Sequence, residues 1–235
     1  KMVVSAAGKI NHDKFVEQIT RSMNNLPQGK INNRVKATYQ GGEYREEKKL
    51  EQVHLVLGFE GLDYHDDDYH ALLIYSAIMG AGGSSRLFQE IREKRGLVYS
   101  IYASAESFSD SGTFQVVAGT GKNEIKELLP VLCDELINSP KNLTEKEIEK
   151  SKAQLKTSTL MSIESTMTNA TIAAYQLFRY GKLIDMKERI EKINNVTKTS
   201  IEKVANKLLS SKPTISSIGP IKQLEYLDKI QNRLN

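Results

Sequence analysis

The order of the apolar patterns along this chain constrains its fold more than any other feature. From Val53 to Phe59, apolar residues occupy every second position, which is typical of a strand with one buried face. Further strands are expected at about Val98–Glu106 and Thr113–Gly119, as a hairpin, and near Ile215–Gly219. Between the hairpin and the last strand the periodicity is helical. Strands first and helices later, without βαβ alternation, predict an α+β fold whose antiparallel or mixed sheet carries helices on one face.

Local signals predict where several helices begin and end. Asn11 or Asp13 can cap a helix that Pro27 ends. Thr144 and Glu147 have the spacing of a capping box, which predicts the start of a long helix. The buried stripe of that helix is expected to contain Ile148, Leu155, Ile163, Met167, Ala170, Ala174 and Leu177, with Gly181 at its end. Other helices are expected at Asp66–Met79, from Asn123, at Asp185–Ile193 and at Ser200–Leu209.

The composition of the first 51 residues predicts a domain boundary. Residues 1–27, a strand over 2–10 followed by a helix, are expected to be the end of a preceding amino-terminal domain. Residues 28–51 are polar and aperiodic and are expected to be a linker, and residues 52–235 the carboxy-terminal domain. Because the chain opens inside a strand-like stretch without a targeting signal, we expect it to be part of a longer protein.

Charge, hydropathy and cysteine content exclude several classes of protein. The 33 basic and 29 acidic residues are mixed along the chain, which argues against nucleic-acid binding. No apolar stretch reaches the roughly 18 residues of a membrane helix, so we expect a soluble protein without membrane contact. Cys133, the single cysteine, lies in an apolar helical context and is expected to be a buried, unreactive thiol. This fits a reducing compartment, either the cytoplasm or an organellar matrix.

The four histidines, His12, His54, His65 and His70, are not expected to bind a metal. His65 and His70 flank three aspartates, but a spacing of five places them on different faces of a helix. The aspartates suit a helix amino terminus instead. We therefore predict no metal ligand and no catalytic base in this chain.

One segment, Gly82–Ser100, differs from the rest: GGSSRLFQEIREKRGLVYS. It contains a glycine loop, serines that can cap a short helix, a cationic last turn and Gly96, which can end the helix in a left-handed conformation. The cations complement the negative end of the helix dipole. From the residues alone, a structural turn and a ligand-binding corner are equally good interpretations.

This segment resembles the S-S-R-L-F-Q-x-x-R-E-x-x-G-L-x-Y segment in the carboxy-terminal domain of the pitrilysin and mitochondrial-processing-peptidase family of zinc peptidases. Four other parts of the chain are similar to that family: Val3–Pro27, Gly41–Glu43, Thr144–Lys152 and Ile163–Ser165. The likeness covers essentially the whole chain. It implies a metallohydrolase-like domain of the LuxS and processing-peptidase type, placed in the carboxy-terminal half of its protein.

The resemblance also implies a division of roles between two halves. The amino-terminal half would bind zinc through an inverted H-x-x-E-H motif, which this chain lacks. The carboxy-terminal half would contribute Arg92 and Tyr99 as hydrogen-bond donors to an extended peptide or unfolded polypeptide. The parent protein would then be a zinc metalloendopeptidase, and this chain alone would be inactive. Its partner would be its own amino-terminal half, with pairing to a second copy or a related subunit left open.

Alternatives remain open for each of these residues. Arg92 can be a helix-end cation, and Tyr99 a half-buried aromatic on the face of Ile101 and Ala103. Loop contacts to the substrate are conceivable for Gly82, Gly83, Ser84 and Ser85, although capping is the simpler role. Two rival functions also stand: a non-catalytic subunit of the processing-peptidase type that binds without cleaving, and an assembly module that pairs through a sheet edge.

Overall fold

The structure, a computed structural model, describes residues 2–27, 29 and 35–234. The chain divides into two compact units. The larger unit comprises Lys36–Ala153 and Lys192–Asn235, and the smaller unit comprises Lys1–Val35 and Gln154–Glu191.

A five-stranded mixed sheet forms the centre of the larger unit. Its strands are β1 (Gly42–Glu47), β2 (Val53–Glu60), β3 (Ser100–Ser107), β4 (Gly112–Thr120) and β5 (Thr214–Gly219). The order across the sheet is β1-β5-β2-β4-β3. β1 and β5 are parallel, and the other pairs are antiparallel. This mixed sheet with its helices confirms the predicted α+β class.

The alternation predicted for β2 is present in the structure. The side chains of Val53, Leu55, Leu57 and Phe59 are fully buried. In the register with β4, Phe59 is opposite the buried Phe114. Because successive side chains of a strand point to opposite faces, this single stripe of buried residues sets which face of the sheet becomes the core.

The described part of the chain contains eight α-helices. They are α1 (His12–Met23), α2 (Tyr69–Gly80), α3 (Ile125–Asn138), α4 (Glu145–Met161), α5 (Thr166–Tyr180), α6 (Met186–Asn194), α7 (Lys198–Leu209) and α8 (Leu227–Leu234). In the larger unit α2 contacts β3, α7 contacts α2 and β2, and α3 contacts α8. None of the helices among the described residues is long and apolar enough to cross a membrane.

The amino-terminal stretch differs from the prediction in one respect. Residues 2–10 form no strand, because a strand needs a neighbouring strand for its backbone hydrogen bonds and the described residues supply none there. The helix predicted after them is confirmed as α1. Its cap is Asn11, whose side-chain oxygen accepts a hydrogen bond from the Lys14 backbone nitrogen at 3.1 Å.

The segment expected to be a linker contains strand β1. The strand has the sequence GEYREE, which lacks an apolar stripe. It forms because its backbone pairs with β5, with Gly42 opposite Thr214, and it lies at an edge of the sheet. Charged side chains are common on edge strands, where they discourage further pairing. The local pattern therefore resembles a polar loop, although the segment is a strand.

The long helix predicted from Thr144 begins as expected but is interrupted. The capping box is present: the Thr144 backbone nitrogen donates to Glu147 Oε2 at 3.0 Å, and the Glu147 nitrogen donates to Thr144 Oγ1 at 3.3 Å. α4 ends at Met161, and Ser165 then caps α5 by accepting from the Thr168 nitrogen. Because a serine side chain can satisfy the first backbone donors of a new helix, it favours a restart here.

The stripe predicted to be buried along this helix is wrong beyond Ile148, since Leu155 is only partly buried. The side chains of Ile163 and Met167 are 49% and 76% exposed, and α5 contains no buried residue. Its end is as predicted, since Gly181 adopts a left-handed conformation with φ of 71°. The helical spacing correctly predicted that these residues form a helix. It cannot show whether another element covers the apolar side chains.

We predict that Gly80→Ala destabilises the larger unit. A Cβ atom on Gly80 would lie 1.8 Å from the Ala103 backbone nitrogen, so α2 and β3 would have to separate. Overpacking of this kind typically costs about 1–3 kcal/mol, which outweighs the roughly 1 kcal/mol that alanine gains over glycine inside a helix. Urea denaturation followed by circular dichroism measures the change.

Gly83→Ala is the matched control for this prediction. A Cβ atom there would meet the Phe88 ring at 3.7 Å, an ordinary contact, so the free energy of unfolding should change little. A Gly80→Ala protein as stable as the wild type would show that α2 and β3 are not in close backbone contact.

Candidate functional site

The segment Gly82–Ser100 connects α2 to β3 and exposes most of its polar side chains. Leu87 and Ile91 are fully buried and attach it to the core. At its far end the Tyr99 backbone nitrogen donates to Gly119 O of β4 at 2.8 Å. The segment therefore has a buried apolar side and an exposed polar side, both on the larger unit.

Residues Phe88–Glu93 form a π-helix, where the sequence predicted an ordinary short helix. The Lys94 backbone nitrogen donates to Gln89 O at 3.0 Å, five residues back. Gly96, with φ of 64°, follows the helix as predicted. π-Helical turns are rare and are frequent at functional sites, and this one contains Arg92. A π-helix differs from an α-helix in that each backbone hydrogen bond spans one more residue. Sequence periodicity could not have predicted this difference.

Three of the four cations in this segment are held by carboxylates. Glu90 accepts from Lys94 at 2.5 Å and from Arg95 at 3.3 Å. Arg86 binds Glu147 in α4 through two nitrogens, Nε at 2.5 Å and one terminal nitrogen at 2.8 Å. All of these contacts lie within the larger unit.

Arg92 is the remaining cation of the segment, and it makes no ion pair with any described residue. Its guanidinium carbon lies 4.7 Å from the centroid of the Phe88 ring, a cation–π contact. The guanidinium N–H groups make no hydrogen bond to a described residue. The residue is exposed.

The side chain of Tyr99 is 61% exposed, whereas Ile101 and Ala103 are buried. The alternative that Tyr99 is a half-buried aromatic on their face is therefore wrong. Its hydroxyl makes no hydrogen bond to a described residue, unlike that of the buried Tyr75, which lies 2.8 Å from Ser139 Oγ. Tyr99 directly precedes β3, and β3 contacts the π-helix that contains Arg92.

The residues of the glycine-serine loop make hydrogen bonds to other residues of the chain. Ser85 Oγ donates back to Gly82 O at 2.8 Å and makes no amino-terminal capping bond to the helix. Gln89 Nε2 donates to Gly83 O at 2.6 Å, and Lys150 donates to Ser84 Oγ. These bonds order the loop. A substrate contact through Gly82, Gly83, Ser84 or Ser85 stays a prediction.

The acidic stretch before α2 binds lysines of α7. Lys203 lies 2.7 Å from Asp68 and Lys207 lies 3.4 Å from Asp66. The neighbouring histidines contact tyrosine rings: His65 lies tilted against Tyr64, and His70 meets Tyr69 edge to face. Across the described ranges, no three His, Cys, Asp or Glu side chains come close enough together to hold a metal ion.

Cys133 is buried in α3, as predicted. Burial raises the pKa of its thiol to about 12, so it stays protonated at neutral pH. A protonated, inaccessible thiol is a poor nucleophile.

The chain matches known proteins over most of its length. The model of the Peptidase M16 inactive domain matches residues 1–155. An uncharacterized zinc protease of Rickettsia felis is 36% identical over 220 residues, which cover 93% of this chain and 53% of that protein. The alpha subunit of mitochondrial-processing peptidase from Caenorhabditis elegans is 28% identical over 97% of this chain and 50% of that protein.

Solved structures have the same fold. A chain of complex III2 from Candida albicans, bound to Inz-5, has a TM-score of 0.80 and 21% identity over 97% of this chain and 57% of that chain. The Peptidase M16 inactive domain from Pseudomonas fluorescens has a TM-score of 0.77 and 24% identity over 93% of this chain and 54% of that chain. Our chain spans about half the length of the curated relatives it matches.

We predict that Glu147→Gln removes a pH-dependent part of the stability. Burial raises the pKa of the Glu147 carboxyl, but hydrogen bonds from Arg86 and Thr144 outweigh this and lower the pKa from 4.5 to about 2. A carboxyl with a lowered pKa stabilises the fold above its unfolded pKa, and this contribution disappears as the pH falls through the folded value. The stability difference between wild type and variant should therefore be constant above about pH 5 and shrink between about pH 4.5 and 2.

Urea unfolding at a series of pH values measures this difference. Glu145→Gln is the control, because Glu145 is an exposed residue of the same helical turn and makes no ion pair with a described residue. If the wild-type and Glu147→Gln curves stay parallel through the acid range, Glu147 does not hold its charge in the way described.

Proposed function

The chain belongs to the Peptidase M16 inactive-domain family, and from that premise we propose that it is the substrate-holding half of a zinc metalloendopeptidase. In this proposal Arg92 and Tyr99 bind an extended peptide or unfolded polypeptide. The catalytic base and the zinc ligands belong to the amino-terminal half of the complete protein. This chain alone is therefore inactive.

The observation that carries the proposal is that neither side chain has an ion-pair or hydrogen-bond partner among the described residues. The Arg92 guanidinium binds no carboxylate among the described residues, in a segment where Glu90 and Glu147 bind every other cation. Tyr99, near the end of the same segment, is exposed, and its hydroxyl makes no hydrogen bond to a described residue. Exposed donors without a structural partner are available to a ligand, and the π-helix around Arg92 supports the same interpretation.

Both groups suit a peptide that is being cleaved. A guanidinium and a phenol can each donate to a peptide carbonyl, or to the negative oxygen that develops when that carbonyl is attacked. Donors placed in advance stabilise this charge more in the transition state than in the bound substrate, and so they raise the turnover number. In the proposal Arg92 and Tyr99 orient the peptide and stabilise this oxygen, while water activation occurs in the other half.

The zinc of the proposed enzyme would be held outside this chain. The described residues do not bring together a set of ligands, and Asp66 and Asp68 are bound to lysines instead. When bound in the other half, zinc would supply Lewis-acid activation of the carbonyl and of a water molecule. The names of the bacterial relatives, which are zinc proteases, support this assignment for the complete protein.

The proposal extends to partners and location. The principal partner is the amino-terminal half of the same protein, with pairing to a second copy or a related subunit as a further arrangement. The single buried cysteine is compatible with a reducing compartment, such as the cytoplasm or an organellar matrix.

A second function, that of a non-catalytic subunit, is favoured by one comparison. The relative from Caenorhabditis elegans is named the alpha subunit of mitochondrial-processing peptidase, rather than a complete protease. In this alternative Arg92 and Tyr99 still bind peptides, but the amino-terminal half lacks a working zinc motif. A third function, sheet-edge assembly, would make both residues dispensable for binding. Zinc analysis and cleavage of a quenched fluorescent peptide by the complete protein distinguish the first two functions.

We predict that Arg92→Ala lowers the turnover number of the complete protein about 10²–10³-fold, the usual effect of losing an oxyanion donor. Zinc content should stay the same, because Arg92 is not expected to be a ligand. Steady-state kinetics with the fluorescent peptide and metal analysis of the purified variant measure the two quantities.

Lys94→Ala is the control, since it removes a cation of the same segment that is already paired with Glu90. Its turnover should equal that of the wild type. Loss of zinc in Arg92→Ala, or wild-type turnover in that variant, would refute the proposed role. Wild-type peptide affinity in a doubly substituted Arg92→Ala, Tyr99→Phe protein would favour the assembly function.

A further inference from the structure

We propose that Arg86 is a positioning residue, which fixes the π-helix carrying Arg92 to the first turn of α4. It would act on the substrate only through Arg92, so this inference rests on the proposed function.

Arg86 is bound on several sides. Two nitrogens of its guanidinium contact the two carboxylate oxygens of Glu147, and one of them also donates to the Asn142 backbone oxygen at 2.5 Å. The Arg86 side chain is 15% exposed and that of Glu147 is 28% exposed. Bidentate arginine–carboxylate pairs define orientation as well as distance. The Arg86–Glu147 pair therefore restrains the position of the start of the π-helix, in addition to neutralising two charges.

The carboxylate of this pair is itself held in place. Glu147 Oε2 also accepts from the Thr144 backbone nitrogen at 3.0 Å and from Thr144 Oγ1 at 2.6 Å. Since Thr144 and Glu147 form the capping box of α4, Arg86 is anchored to the capped first turn of that helix. Its position is thus coupled to the backbone of α4 and not merely to a mobile surface carboxylate.

A second contact connects the same two elements. Lys150, three residues after Glu147 on α4, donates to Ser84 Oγ, two residues before Arg86. Residues three apart lie on the same face of a helix, so one face of α4 holds the entry to the π-helix at two points. The buried Leu87 fixes the opposite side.

Arg92 needs such support because its own side chain has little. Its described contact is the Phe88 ring, which belongs to the same π-helix. The location of the Arg92 guanidinium therefore depends on how the whole π-helix is placed. A misplacement of about 1 Å in a group that positions the substrate can reduce turnover about 10²-fold.

The test uses the complete zinc-loaded protein and the variant Arg86→Lys. Lysine keeps the charge but cannot make the forked contact with Glu147. We expect the turnover number to fall about 10- to 100-fold, with little change in KM and with zinc content unchanged. Ser139→Ala, which removes the buried partner of Tyr75, controls for a general loss of stability. Both variants are assayed well below their melting temperatures.

A double-mutant cycle shows whether Arg86 acts through Arg92. If it does, Arg86→Lys should slow the wild type but have almost no further effect in the Arg92→Ala protein. A residue that only stabilises the fold would give the same factor in both backgrounds. Additive effects, or equal slowing by Ser139→Ala, would overturn the inference.

The cycle also separates this inference from the proposed function. Wild-type turnover in Arg92→Ala would refute the function of Arg92, and the positioning role of Arg86 with it. Slow turnover in Arg92→Ala together with wild-type turnover in Arg86→Lys would refute the positioning role alone. If Arg86→Lys does not fold, Glu147→Gln removes the same fork from the other side and takes its place in the cycle.

Discussion

Burial of one face of β2 is the constraint on which the larger unit depends. Full burial of each large apolar side chain on that face stabilises the fold by roughly 1.5–3 kcal/mol. β5 and β4 pair with β2 on its two sides, so the strand lies at the centre of the sheet. The candidate site is attached to this centre through β4: Thr120 Oγ1 donates to Leu97 O at 2.6 Å, and the Tyr99 backbone nitrogen donates to Gly119 O. Arg92 and Tyr99 are thus exposed groups on a rigid support.

The distribution of carboxylates separates the cations of the site into two kinds. A helix-dipole argument treats the three last-turn cations alike, since each lies near the negative end of the helix. Two of them share Glu90, and Arg86 at the other end of the segment binds Glu147. Only Arg92, among the described cations of the segment, is left with donors that the fold does not use. We propose a function for Arg92 because ion pairs within the fold account for the other three cations but not for Arg92.

The smaller unit shows a limit of amphipathic patterns. α1 and α5 both carry apolar residues at helical spacing, and both form helices with the expected caps, Asn11 and Gly181. Neither helix contains a buried residue. A helical pattern shows which face would be covered, because spacing determines the face. Whether that face is covered depends on what packs against it, which the spacing of residues does not encode.

The sequence by itself determined the features that depend on neighbours along the chain. These include the one-sided burial of β2, the hairpin of β3 and β4, the capping box at Thr144 and the left-handed glycine after the π-helix. The motif resemblance also singled out Arg92 and Tyr99 as candidates. Tertiary structure alone decided that a polar stretch becomes β1, because its pairing strand is β5, near the other end of the chain. It also decided which cations are paired, since the carboxylate that binds Arg86 lies 61 residues away. Contacts between distant residues leave no periodic trace in the sequence, and here they distinguish a structural arginine from an available one.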